Sequence, residues 1–275
     1  MSQTNLTQAF AARYSDVPVS CADGAALVQS MAARGSCRAF EDRAIPDDVL
    51  DTLCAIAMAS PTKSDLQQRD IVMLKSSDQR QQLAALVAGQ AWVSDAPMLL
   101  VFCGNNRRQR LLHDWHRVPF ANDHLDALIN ATADAAIALG AFVTAAEALG
   151  LGCCPISAVR NDAEAVSNLL GLPDHVFPFA GLALGYPAAP PTISKRLPLR
   201  VTCHVDRYEE EGLRAAVEAY DTDRAAAQPY SKQRFVDRFG HTEPYGWSDD
   251  KVRQYSAPER AEFGAFIRKR GFYLD

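Results

Sequence analysis

The sequence lacks an uninterrupted apolar segment of the kind that spans a membrane. Its longest stretch without Asp, Glu, Lys or Arg runs from 175 to 194, and it contains Pro178, Pro187, Pro190 and Pro191. Four prolines would break a helix of that length, because each lacks an amide hydrogen and clashes with the preceding turn. Residues 1–20 also lack a charged start followed by an apolar run. We therefore expect neither a membrane-spanning helix nor a secretory signal.

An excess of positive charge is also missing. The 275 residues include 28 Lys and Arg against 33 Asp and Glu, a formal net charge of −5. Nucleic-acid-binding proteins usually present a basic face, so we expect no nucleic-acid partner. Hydrophobic residues make up 48% and charged residues 22% of the chain. These values are typical of a globular protein and exclude disorder over most of the chain.

Paired cysteine motifs are absent. The seven cysteines stand at 21, 37, 54, 103, 153, 154 and 203, and no two of them form a CxxC pair. An odd number of cysteines in mostly apolar surroundings is typical of reduced thiols, which favours a cytoplasmic location. The polar segment His113–His116, with Asp123 and His124 beyond it, lacks a compelling metal-ligand spacing. We expect no metal site there.

Hydrophobic periodicity predicts alternating helices and strands. No strand is followed by GxGxxG and a helix, which excludes a Rossmann dinucleotide domain. Residues 106–122 are predicted as a loop or a mobile helix, and residues 209–246 as irregular. Apolar spacing and turn residues predict helices over 23–35, 47–60, 77–89, 123–150, 161–171, 247–256 and 257–272. Continuous apolar runs predict strands over 70–76, 96–105 and 177–187, a short extended segment at 153–157 and a possible edge strand at 199–208.

The predicted helix 123–150 is unusual because it is apolar on every side from Ala135 to Leu149. A helix of this kind has to be buried all round. We therefore expect it at the centre of the fold or in an interface between subunits.

Four short polar segments could bind a phosphorylated, polyhydroxylated ligand. They are RGSCR at 34–38, SPTKSDLQ at 60–67, Gly89-Gln90, and SKRLP at 194–198. Arginine forks suit phosphate oxygens, and hydroxyl and amide groups suit a polyol chain. Taken one at a time, these segments are more typical of a solvated turn, a loop, a helix end and an exposed linker.

In order along the chain, these segments resemble the nitroreductase family of FMN-binding flavoproteins. The resemblance is strongest in RGSCRAF, AGQAWVSDAPMLLVFC, AAEALGLGCCPISAVRNDAEAVSNLLGLP, HVFPFAGLALGYPA and SKRLP. It implies an α+β fold, with a central, mostly antiparallel sheet flanked by helices, in an intertwined homodimer. It also implies a single FMN-binding domain over 31–275, preceded by an extension over 1–30.

The resemblance further implies which residues contact FMN. The FMN phosphate and the pyrimidine side of the ring would meet Arg34, Ser36 and Arg38, and Arg196 would also bind the phosphate. Thr62, Ser64 and Gln67 would approach the flavin from the partner subunit. The remaining implied contacts are Gln90, the segment Pro155, Ile156, Ser157 and Ala158, and Ser194. No catalytic side chain is implied, because the cofactor carries the electrons.

The implied activity is two-electron transfer from NADPH or NADH to nitroaromatic, quinone or flavin acceptors, with ping-pong kinetics. Two alternatives stay open: a same-fold enzyme with different chemistry (dehalogenation, enal reduction or flavin fragmentation), and a non-catalytic flavin-binding protein. For the nicotinamide 2′-phosphate, Lys232, Arg234 and Arg238 could supply charge, although a merely solvated loop is as consistent with their pattern.

Overall fold

The computed structural model describes residues 12, 14, 26–87 and 90–275. The chain divides into two compact units: one holds residues up to 35 together with 192–259, and the other holds 36–191 and 260–275. We call them the first and the second unit. Most of the expected extension 1–30 lies outside the described residues, and the single domain expected over 31–275 stays a prediction.

The second unit is built on a four-stranded antiparallel sheet. Its strands are β1 (Arg69–Leu74), β2 (Met98–Asn105), β3 (Gly152–Ile156) and β4 (Val176–Gly185). They lie in the order β1-β2-β4-β3, with Val72 opposite Val101 and Val101 opposite Gly181. Strand β4 pairs with β3 through Cys154 and Ala183. The expected antiparallel α+β architecture is confirmed.

Helices cover both faces of this sheet. The helices of the second unit are α2 (Asp47–Met58), α3 (Ser77–Leu86), α4 (Arg107–His116), α5 (Leu125–Ala148), α6 (Ala163–Leu170) and α11 (Phe263–Lys269). Alternate residues of β2 point to opposite faces, which explains its continuous apolar run. Leu100 and Phe102 pack in the cluster formed with α2 and α5, whereas Leu99 and Val101 pack in the cluster formed with α3 and α6.

Helix α5 is the predicted long helix, and its two sides differ. Ala131, Ala138 and Phe142 are fully buried, and the Phe142 ring meets Phe102 edge to face at 5.6 Å between centroids. On the other side Ile129 is 52% and Ile137 is 40% exposed. Burial all round is therefore not reached within one chain, which leaves an apolar outer face.

By length and composition, α5 is also the one candidate membrane span within the described part of the chain. Its contacts with α2 and β2 are those of a core helix. The charged residue Asp134 in its middle is buried against other parts of the second unit.

Capping residues set several helix ends where the sequence predicts them. Asp162 caps α6 by accepting from the Ala165 amide at 2.9 Å, and Gly171 ends that helix in the left-handed conformation. The cap of α3 is Ser76 rather than the expected Ser77. The expected stop at Gly89, like residues 23–25 of the first predicted helix, lies outside the described residues.

The first unit is helical over the residues that the structure describes. Its helices are α1 (Ala26–Ala33), α7 (Leu199–Thr202), α8 (Leu213–Ala227), α9 (Val236–Phe239) and α10 (Trp247–Tyr255). The possible edge strand at 199–208 was a wrong prediction, because residues 199–202 form α7 directly after Pro198 and residues 203–208 form no strand. The irregular segment predicted over 209–246 was also wrong, since α8 spans four turns of it.

Candidate functional site

The segment that carries Ser36 and Arg38 runs beside β3. The Cys37 amide donates to the Cys153 carbonyl at 2.9 Å, and Phe40 forms a bridge with Pro187. This approach requires a glycine at 152, because a Cβ there would lie 2.6 Å from the Cys37 side chain. Backbone contacts in the second unit therefore fix the position of Ser36 and Arg38.

Arg38 is exposed, and its guanidinium lies 5.7 Å from the centre of the Trp92 ring. Gln90, half-buried, precedes the short 3₁₀ turn Ala91–Val93 that carries Trp92. The cation–π contact brings two of the four predicted segments together. Ser36, in the same segment as Arg38, is half-buried.

At the end of β3 the four predicted residues alternate between solvent and core. Pro155 and Ser157 are exposed, whereas Ile156 and Ala158 are buried. Strand geometry points neighbouring side chains to opposite faces, and the 3₁₀ turn Ser157–Arg160 then takes the chain back into the core. Pro155 and Ser157 are therefore exposed at the end of a strand that is hydrogen-bonded to β4.

The loop 62–68, between α2 and β1, has an unusual backbone. Ser64, Asp65 and Gln67 have φ values of 47°, 57° and 52°. Left-handed backbone costs a non-glycine residue about 1–2 kcal/mol, so the surrounding structure has to hold this loop in place. Ser64 and Gln67 are exposed, and Thr62 is half-buried.

Asp134 of α5 binds the inner side of this loop. Its carboxylate accepts from the Thr62 hydroxyl, from the Lys63 amide at 3.1 Å and from the Gln68 amide at 2.8 Å. The Thr62 oxygen in turn accepts from the Gln67 amide at 2.9 Å. Asp134 is 1% exposed. Asp134 was not among the predicted site residues, although it is the sole charged residue between Asp126 and Glu147 in an apolar helix.

Arg69 supplies the positive charge beside Asp134. One guanidinium nitrogen lies 3.8 Å from the Asp134 carboxylate, and another donates to the Met58 and Ser60 carbonyls at 2.7 and 2.9 Å. Arg69 is 3% exposed, so this is a buried ion pair. It ties the end of α2 to the base of the loop.

The carbonyls of the loop are bound from α4. Arg108 donates to the Gln67 carbonyl at 2.6 Å, and Gln109 donates to the Leu66 carbonyl at 2.7 Å. Two amides of the loop, those of Lys63 and Gln68, therefore bond to α5, and two of its carbonyls, those of Leu66 and Gln67, bond to α4. Both anchors belong to the second unit.

In the first unit, the segment with Ser194 and Arg196 is bound by α8. The Gln228 side chain donates to the Ile193 carbonyl at 2.7 Å and accepts from the Lys195 amide at 3.2 Å. The Tyr220 hydroxyl donates to the Lys195 carbonyl at 3.1 Å. Burial raises the pKa of Tyr220, which keeps this hydroxyl protonated as a donor.

A cavity of about 430 Å³ opens beside this segment, within the first unit. Arg196 is exposed and Ser194 is half-buried. The lining combines cations, hydroxyls and aromatic rings: Tyr14, Ser194, Lys195, Arg196, Leu197, Thr202, Tyr220, Arg224, Tyr230, Trp247 and Lys251. Such a set suits a ligand with both an anionic and a planar part. Arg34, the remaining predicted phosphate ligand, is half-buried in the same unit.

Two of the three cations considered for a nicotinamide phosphate have partners inside the first unit. Arg234 lies 3.0 Å from the Asp250 carboxylate, and Arg238 donates to the Ser256 carbonyl at 3.0 Å. Lys232 is exposed. Asp250 offsets the charge of Arg234, which leaves Lys232 and Arg238 as the cations available to an incoming phosphate.

The His-rich segment forms internal contacts. His113 Nδ1 lies 3.2 Å from the Val118 carbonyl, and Asp123 forms a two-point ion pair with Arg110 at 2.9 and 2.5 Å. Among the residues that the structure describes, no group of three or more His, Cys, Asp or Glu side chains could hold a metal ion.

The fold is shared with solved structures of other proteins. NfrA2 of B. megaterium superposes with a TM-score of 0.82 at 28% identity, covering 90% of this chain and 98% of that one. The NADPH:FMN oxidoreductase of Vibrio harveyi, solved with NAD⁺, gives a TM-score of 0.78 at 27% identity and covers 89% and 97%.

Sequence comparisons define the family. The model of the nitroreductase family matches residues 31–186, and that of the nitroreductase family C-terminal domain matches 194–275. This chain belongs to the nitroreductase family. It is 29% identical to an FMN reductase [NAD(P)H] of Bacillus subtilis, covering 90% of this chain and 98% of that protein. It is 30% identical to the oxygen-insensitive NADPH nitroreductase of Salmonella typhimurium, covering 89% and 97%.

Proposed function

We propose that this chain is an FMN-dependent oxidoreductase that passes two electrons from NADPH or NADH to nitroaromatic, quinone or flavin acceptors. The observation that carries the proposal is the likeness, over 89–90% of the chain, to proteins named FMN reductase and NADPH nitroreductase. Donor and acceptor would use the same open face in turn, which gives ping-pong kinetics.

The side chains present in each unit are of the kinds that bind a flavin nucleotide. A phosphate monoester carries about −1.5 to −2 charges, and the lining of the first-unit cavity offers Ser194, Lys195 and Arg196 on a backbone fixed by Gln228. In the second unit, the exposed Arg38 and Ser157 lie on backbone fixed by β3. We also assign the following residues to FMN binding: Arg34, Ser36, Thr62, Ser64, Gln67, Gln90, Pro155, Ile156 and Ala158. FMN itself would supply the redox chemistry, so the protein has to orient it and exclude competing reactions.

We further propose that the active form is a cytoplasmic homodimer. Apolar side chains of α5 and α2 lie at the surface of the single chain: Leu125, Ile129 and Ile137, with Ile56 and Met58. Exposed apolar side chains on two helices that pack against each other are typical of an interface. Cys37, Cys54, Cys103 and Cys203 are free thiols, which favours a reducing compartment.

A first experiment tests the cofactor and the electron donor. The purified protein should be yellow, or should take up FMN with the absorbance of a bound flavin. Anaerobic NADPH should bleach that absorbance, and NADH in parallel gives the donor preference. A colourless protein that takes up no FMN would refute the proposal, and a flavin that no nicotinamide reduces would indicate a binding protein. Product analysis with nitrofurazone, menadione and free FMN separates reduction from other flavin chemistry.

A second experiment tests the phosphate site. Arg196→Gln should weaken FMN binding about tenfold or more, because a hydrogen bond to a charged group contributes about 1.5–3 kcal/mol. Binding of riboflavin, which lacks the phosphate, should change less than about twofold. Arg214→Gln is the matched control, since Arg214 is an exposed arginine paired with Glu218 on α8. An equal loss for both flavins would remove Arg196 from the phosphate site.

A further inference from the structure

The loop 62–68 combines a left-handed backbone with hydrogen bonds to a buried carboxylate. Three of its residues, Ser64, Asp65 and Gln67, adopt left-handed backbone without being glycines. Its inner amides point at a carboxylate that is almost completely removed from solvent. A conformation of this kind persists only where the surrounding structure fixes it.

Asp134 is the group that fixes it from the inside. A carboxylate has enough lone pairs for all three donors that face it, the Thr62 hydroxyl and the Lys63 and Gln68 amides. These donors stand at the two ends of the loop, so one side chain sets the distance between the ends. The residues between them are forced outward.

The outward residues are those assigned to FMN. Ser64 and Gln67 are exposed, whereas Gln68 is 1% exposed. Asp134 itself cannot touch a ligand on the outer side, because the loop covers it. Its effect on a ligand has to pass through the shape of the loop.

We propose that Asp134 is a positioning residue for flavin binding, whose buried carboxylate holds the loop 62–68 in the conformation that presents Ser64 and Gln67 to FMN. This inference rests on the proposed function. It assigns Thr62 a second duty: the Thr62 hydroxyl links Asp134 to the Gln67 amide, whatever contact it also makes with the flavin.

The main test compares Asp134→Asn with two control variants. Asp126 lies on the exposed side of α5, where its carboxylate accepts from the Asn130 amide at 2.7 Å and from the Lys63 ammonium group of the loop at 3.5 Å, so Asp126→Asn leaves the loop backbone untouched. Val143→Ala removes buried methyl groups from the same helix and lowers stability without altering the loop. Titration of the folded apoprotein with FMN should give a dissociation constant raised about tenfold or more for D134N. For both controls it should stay within about twofold of wild type.

Hydrogen exchange gives a readout that needs no flavin. In the apoprotein, the Lys63 and Gln68 amides should exchange at least about tenfold faster in D134N than in V143A of similar melting temperature. Bound FMN in D134N should also show an altered visible circular dichroism, because its surroundings have changed.

Asp134→Asn removes one partner of a buried ion pair and can prevent folding. If Asp134→Asn does not fold, the variants Thr62→Val and Thr62→Ser test the proposal instead. The valine loses both hydrogen bonds at nearly constant volume and should raise the exchange of the Gln67 and Gln68 amides. The serine keeps both bonds and should restore slow exchange and FMN affinity.

The outcomes separate the two proposals. A wild-type protein that takes up no FMN overturns the proposed function together with this inference. A wild-type protein that binds FMN, with D134N or T62V matching it in affinity and amide exchange, overturns the inference alone.

Discussion

At the scale of single residues, Gly104 shows how closely the elements of the second unit pack. It lies in β2, where a Cβ would stand 2.3 Å from the Phe177 ring. Phe177 is 1% exposed and meets Phe272 edge to face at 5.4 Å between centroids. The ring therefore has no room to retreat.

We expect Gly104→Ala to destabilise the protein by about 1–3 kcal/mol through overpacking. Gly140→Ala is the matched control, because Gly140 lies in α5 with nothing within 4 Å of the added methyl. That control should be neutral or stabilising by up to about 1 kcal/mol, since alanine is the better helix former. Urea unfolding monitored by circular dichroism measures both variants. A urea midpoint of G104A at or above that of wild type would show that the Phe177 ring moves to accommodate the added methyl group.

The residues assigned to FMN were accessible from the sequence only through order and spacing. Arg38 or Gln90 alone is typical of any surface. Asp134 was missed because a single acidic residue in a helix gives no sign of the loop amides that surround it. Those amides become neighbours only when α5 packs beside the loop, and that packing depends on contacts far apart in the chain.

At the scale of elements, periodicity located the sheet and most helices correctly. Strand β2 and helix α6 lie where their apolar runs and caps predict. Helix α8 was missed although its signal was present: Leu213, Ala216 and Tyr220 recur at helical spacing, and Ala216 and Tyr220 are buried. The helix was not predicted because charged residues are abundant between these apolar positions.

Helix α8 gives an element-scale prediction, because its C-cap residue Gln228 bonds the backbone on both sides of Ser194. Gln228→Leu should free this segment and weaken FMN binding about three- to tenfold, while binding of riboflavin stays nearly constant. Thr222→Ala removes an exposed hydroxyl that bonds to the Glu218 carbonyl of the same helix, and it should leave both affinities unchanged. Loss of affinity in Thr222→Ala as well would point to general loosening of α8.

At the scale of the whole molecule, the chain changes units close to where the family models change. The two models meet between 186 and 194, and the chain passes into the first unit again at 192. Length and composition indicated a globular chain but not this division. The division follows from contacts between residues up to 35 and those after 192, which no local pattern contains.

Each unit holds a titratable group that makes stability depend on pH. Burial and the nearby Arg110 guanidinium lower the pKa of His175 below its ordinary 6.5, and its Nε2 donates to the Gly271 carbonyl at 3.0 Å. For Asp250, burial raises the pKa, but hydrogen bonds from Lys251 and Arg234 outweigh burial and hold it below 3.8. In both cases the unfolded chain binds the proton more readily than the folded one does.

Stability should therefore fall in two steps as the pH is lowered. The His175 contribution is complete above about pH 6.5 and is lost as the pH falls through the lowered pKa, and the Asp250 contribution is lost below about pH 4. Urea midpoints measured from pH 8 to pH 3.5 should show His175→Gln flattening the first step and Asp250→Asn the second. A wild-type midpoint that rises on acidification would contradict both assignments.

The pairing of Arg69 with Asp134 restricts how this chain can vary. Each side chain leaves the other as an uncompensated buried charge if it is replaced alone, so the two losses are not additive. The same guanidinium bonds the Met58 and Ser60 carbonyls. Any lineage that abandons one of the pair has to exchange the other too and find new donors for the end of α2, so we expect these two positions to change in concert or to persist together.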